Sequence, residues 1–193
     1  MATNEAGFKL EFRRALAEKI SGNPGSRCHI WTHTDAFKHG LPDFQCAVFW
    51  HHGGKGTYPM EAKFVTKVPA RESSAVLKHP LSSSQYSHLV RSFRAGLFST
   101  VVIGMPDIAI CIPIHMWPRE GSANITLKEL RAIPEKFRVL KRARGGWEIG
   151  TILETLAHEC ELGRAALEAR LIAARAAPIE IKHTFDNGDL RCV

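Results

Sequence analysis

The chain has 193 residues, 45% of them hydrophobic and 23% charged, with a net charge of +7. That balance excludes a disordered or low-complexity chain, because there is enough apolar surface to bury a core. No apolar run approaches the roughly 20 residues a membrane span needs, and the excess of Lys and Arg favours a polyanionic partner, nucleic acid before membrane.

Residues 4–21 are expected as a helix, since Phe8, Phe12, Ala15, Leu16 and Ile20 recur at three- and four-residue spacing before "SGNPG" ends the pattern. "RCHIWTHT" (27–34) has the look of a short strand. "DFQCAVFW" (43–50), the turn "HHGGKGT" (51–57) and "YPMEAKFV" (58–65) form a hairpin by pattern, followed by a polar loop over 66–80. "LSSSQYSHLVRSFRAG" (81–96) is a helix with serine caps, an apolar face of Leu89, Val90 and Phe93, and Gly96 as its stop. Two buried strands, "STVVIG" and "DIAICIPI", flank the break "MP". "TLKELRAIP" is a short helix opened by a Thr126/Glu129 capping box.

"KRARGG" (141–146) is a basic hinge, 147–177 a long amphipathic helix, and the tail a hairpin around Asn187-Gly188. The order of elements gives an α/β core over residues 1–115 and a C-terminal extension over 116–193. The cysteines Cys28, Cys46, Cys111, Cys160 and Cys192 show no zinc spacing and are expected as thiols in a reducing compartment. The first twenty residues carry acids and lack an apolar h-region, so a cytoplasmic location, bacterial or in an infected host cell, is the expectation.

The hairpin carries the chemistry. Strand alternation puts Glu61 and Lys63 on one face of "YPMEAKFV" and Met60, Ala62 and Phe64 on the other. Asp43 opens the preceding strand after Pro42, so antiparallel pairing brings it towards Glu61. Two converging carboxylates raise each other's pKa unless a cation lies between them. Hard oxygen ligands beside a lysine suit Mg²⁺ or Mn²⁺. Such an ion polarises a phosphoryl oxygen and acidifies water, and the lysine stabilises charge gathering on phosphorus. Phosphodiester hydrolysis is the chemistry that fits. The plainer alternative is a turn-capping aspartate and a solvated strand face.

"GLPDF" followed by "EAK" resembles the PD-(D/E)XK nuclease signature. The N-terminal helix with Glu11, the hairpin, and "LSSSQYSHLVRSFRAG" are similar in order to the VRR-NUC branch, whose S-x-x-Q helix follows the catalytic strand and whose members resemble Holliday-junction resolvases. The resemblance covers about residues 5–105. It implies a restriction-endonuclease-like fold, a mixed central sheet flanked by helices, with a helical C-terminal extension. It also implies that Asp43, Glu61, Glu11 and the Ala62 main-chain carbonyl bind Mg²⁺ (or Mn²⁺), with Lys63 as catalytic lysine and Gln85 as the helix glutamine. The activity implied is a metal-dependent endonuclease on branched or structured DNA, in phage or mobile-element recombination or repair, with a homodimer suited to a near-symmetric junction.

One departure stands out: Lys38 and His39 precede the G-x-P-D, where that branch usually has arginine or serine. Lys38, His39, Lys67, Arg71, Lys78, Lys141, Arg142 and Arg144 are candidates for phosphate contacts. Other readings stay open beside these. Ser82-x-x-Gln85 is also a capping box, and Glu11 also has Arg14 as a neighbour to pair with. "GMPD" (104–107) repeats the PD pair with no E-x-K strand after it, so Asp107 is expected as a loop residue. The scattered histidines lack zincin spacing. Two rival functions remain: a catalytically silent nucleic-acid-binding subunit, and a protein-interaction module, such as one acting on a host enzyme, carried by the region after 145.

Overall fold

The computed structural model describes residues 4–33, 40–51, 53–78, 80–118, 124–142, 146–176, 185–186 and 189–190. Its first elements are α1 (Glu5–Ser21), β1 (Arg27–Thr32), β2 (Phe44–Phe49), β3 (Lys55–Phe64), β4 (Ala75–Leu77) and α2 (Ser83–Arg94). Then come β5 (Thr100–Gly104), β6 (Ile108–Pro113), β7 (Ile125–Thr126), α3 (Leu127–Ala132), β8 (Arg138–Leu140), α4 (Ile152–Ala176), β9 (Phe185–Asp186) and β10 (Asp189–Leu190).

The main sheet has six strands in the order β1-β2-β3-β5-β6-β8. Strands β1, β2 and β3 run as an antiparallel meander, β3 pairs parallel with β5, and β6 and β8 continue antiparallel. A parallel pair cannot be joined by a tight turn, and α2 lies in the crossover between β3 and β5. The fold is therefore α/β, a mixed central sheet flanked by helices. Residues Tyr58 to Ala62 of β3 are all buried, as expected of a strand covered on both faces.

Helix α1 starts at the Asn4 cap, whose side chain accepts from the Gly7 N–H at 2.8 Å, and it buries Phe8, Phe12, Ala15, Leu16 and Ile20. Phe8 fixes its position. The ring stacks on Phe64 at 5.5 Å and meets Trp147 edge-on at 5.5 Å. It also lies on Gly104, where an added Cβ would come within 2.5 Å of the ring. This contact seats α1 over the ends of β3 and β5.

Several elements differ from the sequence reading. The segment 66–80, expected as a loop, contains β4, which pairs with β7. The helix expected from residue 147 begins at Ile152. The residues before it go into the core, where Trp147 and Ile149 are each 2% exposed and Trp147 bridges to Lys141. Phe137, Val139, Trp147, Leu156 and Cys160 share one core cluster with Phe8, Met60 and Ile103, so elements on both sides of residue 115 build the same interior. Strands β9 and β10 pair antiparallel; Asn187 and Gly188 lie outside the described residues, as does Cys192. Cys28, Cys46, Cys111 and Cys160 are free thiols.

Candidate active site

The β2–β3 ladder ends at Phe44↔Met60. Two residues further along, β3 has no strand partner on that edge, and the Ala62 N–H donates instead to Asp43 Oδ2 at 2.8 Å. Asp43 Oδ1 accepts from Lys9 Nζ at 2.7 Å, and the same ammonium pairs with Glu5 at 2.7 Å. The approach to Asp43 depends on Gly40. Its φ is +93°, and a Cβ there would meet Ser84 at 2.6 Å, so only glycine lets the chain pass this close to the start of α2.

Glu61 has no exposed surface. Its Oε1 accepts from Lys63 Nζ at 2.6 Å and from Gln85 Nε2 at 2.6 Å, while its Oε2 is buried without a partner. Burial pushes the Glu61 carboxyl up to about 7; Lys63 pulls it down, and the charge of Asp43 adds to the rise. Gln85 serves two purposes with one side chain. Its Oε1 accepts from the Ser82 N–H at 3.0 Å to complete the capping box of α2, and its Nε2 reaches Glu61.

Asp43, Glu61, Lys63 and Gln85 are thus brought together, with the Ala62 main chain between them. Glu11 is not among them. It pairs with Lys141 at 3.2 Å, and at about 100° per residue a helix turns a side chain two positions on almost to the opposite side from Lys9. The acid of α1 linked to Asp43 is Glu5, through Lys9. Neither residue was picked out from the sequence. Their i, i+4 spacing was visible, but the side of α1 that meets β3 is set by Phe8 on Gly104. His33, whose N–H donates to the Asp43 carbonyl at 3.2 Å, has a buried Nε2 without a partner.

The donors present fit a small hard cation. The partnerless Glu61 Oε2 is a buried carboxylate oxygen, Asp43 has lone pairs beyond its two bonds, and the Ala62 carbonyl leaves β3 on the same edge as its N–H. These are the oxygen ligands that Mg²⁺ and Mn²⁺ take. Among the described residues no cluster of three or more His, Cys, Asp or Glu is placed to hold a metal; the candidate side-chain donors among them are Asp43 and Glu61.

Of the basic candidates, Lys67, Arg71, Lys78 and Arg142 are exposed. Lys141 is engaged by Glu11 and by the Trp147 ring, 5.3 Å away. Lys38, His39 and Arg144 lie outside the described residues. Asp107 sits between β5 and β6, where its carbonyl accepts from the Lys141 N–H at 2.9 Å.

No protein-family model matches the chain, and no curated protein does. Among solved structures it is similar to Hjc, a Holliday junction resolvase from Archaeoglobus fulgidus, at 19% identity and a TM-score of 0.42, covering 63% of this chain and 91% of that one.

Proposed function

We propose that this chain is a metal-dependent endonuclease that hydrolyses phosphodiester bonds in DNA, with branched or structured DNA as its preferred substrate. The observation that carries the reading is the buried Glu61 carboxylate, one oxygen held by Lys63 and Gln85 and the other without a partner, beside Asp43. A buried carboxylate oxygen left without a partner costs free energy that a further cation or a proton relieves. Asp43, Glu61 and the Ala62 carbonyl would hold Mg²⁺ or Mn²⁺. When bound, the ion supplies Lewis-acid polarisation of the phosphoryl group and acidifies a water.

The chain's own residues do the rest. Lys63 fixes the orientation of Glu61 and, with its side chain 17% exposed, offers its ammonium to the charge that builds on phosphorus. Gln85 locks the second donor bond to Glu61 so that Oε2 keeps one direction. The preference for branched DNA, a homodimer and a role in phage or mobile-element recombination follow from the resemblance of "GLPDF", "EAK" and the serine helix alone. The net charge of +7 supports a nucleic-acid partner, and no described helix is long and apolar enough to cross a membrane.

A second reading, a silent nucleic-acid-binding subunit, draws on one observation: Lys9 and Lys63 already stand against the two carboxylates. Cleavage of four-way junction, flap, duplex and single-stranded DNA in Mg²⁺, Mn²⁺ or EDTA separates the two. The enzyme cuts only with the divalent ion and loses cutting in Asp43→Ala. Binding without cleavage on every substrate would sink the enzyme reading.

A further inference from the structure

We propose that Lys9 is a built-in cation at Asp43, standing where a second divalent ion would sit, so that the site takes one divalent ion per chain. The inference rests on the metal-dependent reading of the site and deepens it. Lys9 Nζ lies 2.7 Å from both Asp43 Oδ1 and Glu5 Oε1, so the ammonium is clamped from two sides. Helix α1 holds the clamp in place through Phe8, which has no exposed surface and rests on Gly104.

A second ion at Asp43 would have to displace Lys9 and would find few ligands. Glu5 is engaged by Lys9, Glu11 is engaged by Lys141, and among the described residues no third His, Cys, Asp or Glu joins Asp43 and Glu61 as a metal cluster. Charge balance points the same way. With Glu61 ionised, Glu5, Asp43, Glu61, Lys9 and Lys63 sum to one negative charge. One divalent ion and one phosphodiester anion bring that total to zero, whereas a second ion that displaced Lys9 would leave one positive charge uncompensated in a partly buried site. Lys9 acts through Asp43 and is therefore a positioning residue: it takes up one Asp43 oxygen and leaves the remaining Asp43 lone pairs, Glu61 Oε2 and the Ala62 carbonyl for a single ion.

The test is Mn²⁺ titration of the intact protein, followed by the electron paramagnetic resonance signal of free Mn²⁺. It is run on wild type, Lys9→Met, Lys9→Arg and Asp43→Asn, with thermal melts in parallel. Wild type is expected to bind one Mn²⁺ and Asp43→Asn to lose it. Lys9→Met should tighten binding at least about threefold, the direction set by removing a unit charge a few ångströms away, and Lys9→Arg should restore the wild-type value. A merely structural lysine would give the opposite sign, because Asp43 would loosen. Two ions bound to wild type, or binding in Lys9→Met equal to or weaker than wild type, would overturn the proposal alone. The wild-type stoichiometry decides it even where Lys9→Met folds poorly. No Mn²⁺ bound to wild type would overturn this proposal together with the metal-dependent reading beneath it.

Discussion

Glu61 is the residue on which the site turns. Its carboxyl, pushed up to about 7 mainly by burial, keeps its proton in the folded chain over a range where the unfolded chain has lost it. The sign follows from that. Glu61 contributes stability that is fully present below its ordinary value of 4.5 and lost as pH rises through about 7. In EDTA the protein is therefore expected to be more resistant to urea at pH 5 than at pH 8, and Glu61→Gln should shrink that difference. Denaturation curves at the two pH values check it; an unchanged difference in Glu61→Gln would place the dependence elsewhere. Much of this residue-level site was legible in the sequence. The alternation of "YPMEAKFV" pairs Glu61 with Lys63, and the turn spacing carries Asp43 to the open end of β3. Lys9 was not, because helical spacing says that Glu5 and Lys9 are neighbours but not which neighbour of the fold they face. The same gap separates the candidate Glu11 from the carboxylates.

Among the elements, α1 and α2 each bring one side chain to the carboxylates, Lys9 to Asp43 and Gln85 to Glu61. α1 delivers Lys9 only because Phe8 can lie on Gly104. Gly104→Ala places a methyl group into that ring and is expected to cost about 1–3 kcal/mol of stability, the usual range for overpacking. It should also weaken cleavage by more than the loss of folded protein explains, since α1 carries Lys9 with it. Thermal melts and specific activity measured on the same preparation test both parts. The long elements were readable because their periodicity is sustained over many residues. Strands β4, β7 and β8 span only three, two and three residues, too few for a period to declare itself. The start of α4 was also misplaced. The amphipathic pattern runs smoothly back to Trp147, and only the packing of that indole against Phe8 and Phe12 shows that it leaves the helix.

For the molecule as a whole, the sheet does not stop at residue 115. β8 closes its edge on β6, and Phe137, Trp147, Ile152 and Leu156 fill the interior that α1 and β3 begin. A fragment of residues 1–115 loses all of these and exposes the faces they cover, so it is expected to show no cooperative melt. A sharp transition in circular dichroism from that fragment would show that the first part folds by itself.

Whether Asp43, Glu61 and Lys63 form one hydrolytic site is decided by single-turnover cleavage of a labelled four-way junction in Mg²⁺, comparing wild type with Lys63→Met at matched DNA binding. Wild type is expected to cut in an Mg²⁺-dependent way and Lys63→Met to lose roughly 10²–10³-fold, the scale of removing one charge-stabilising group from a transition state. Cutting by Lys63→Met at the wild-type rate would contradict that expectation.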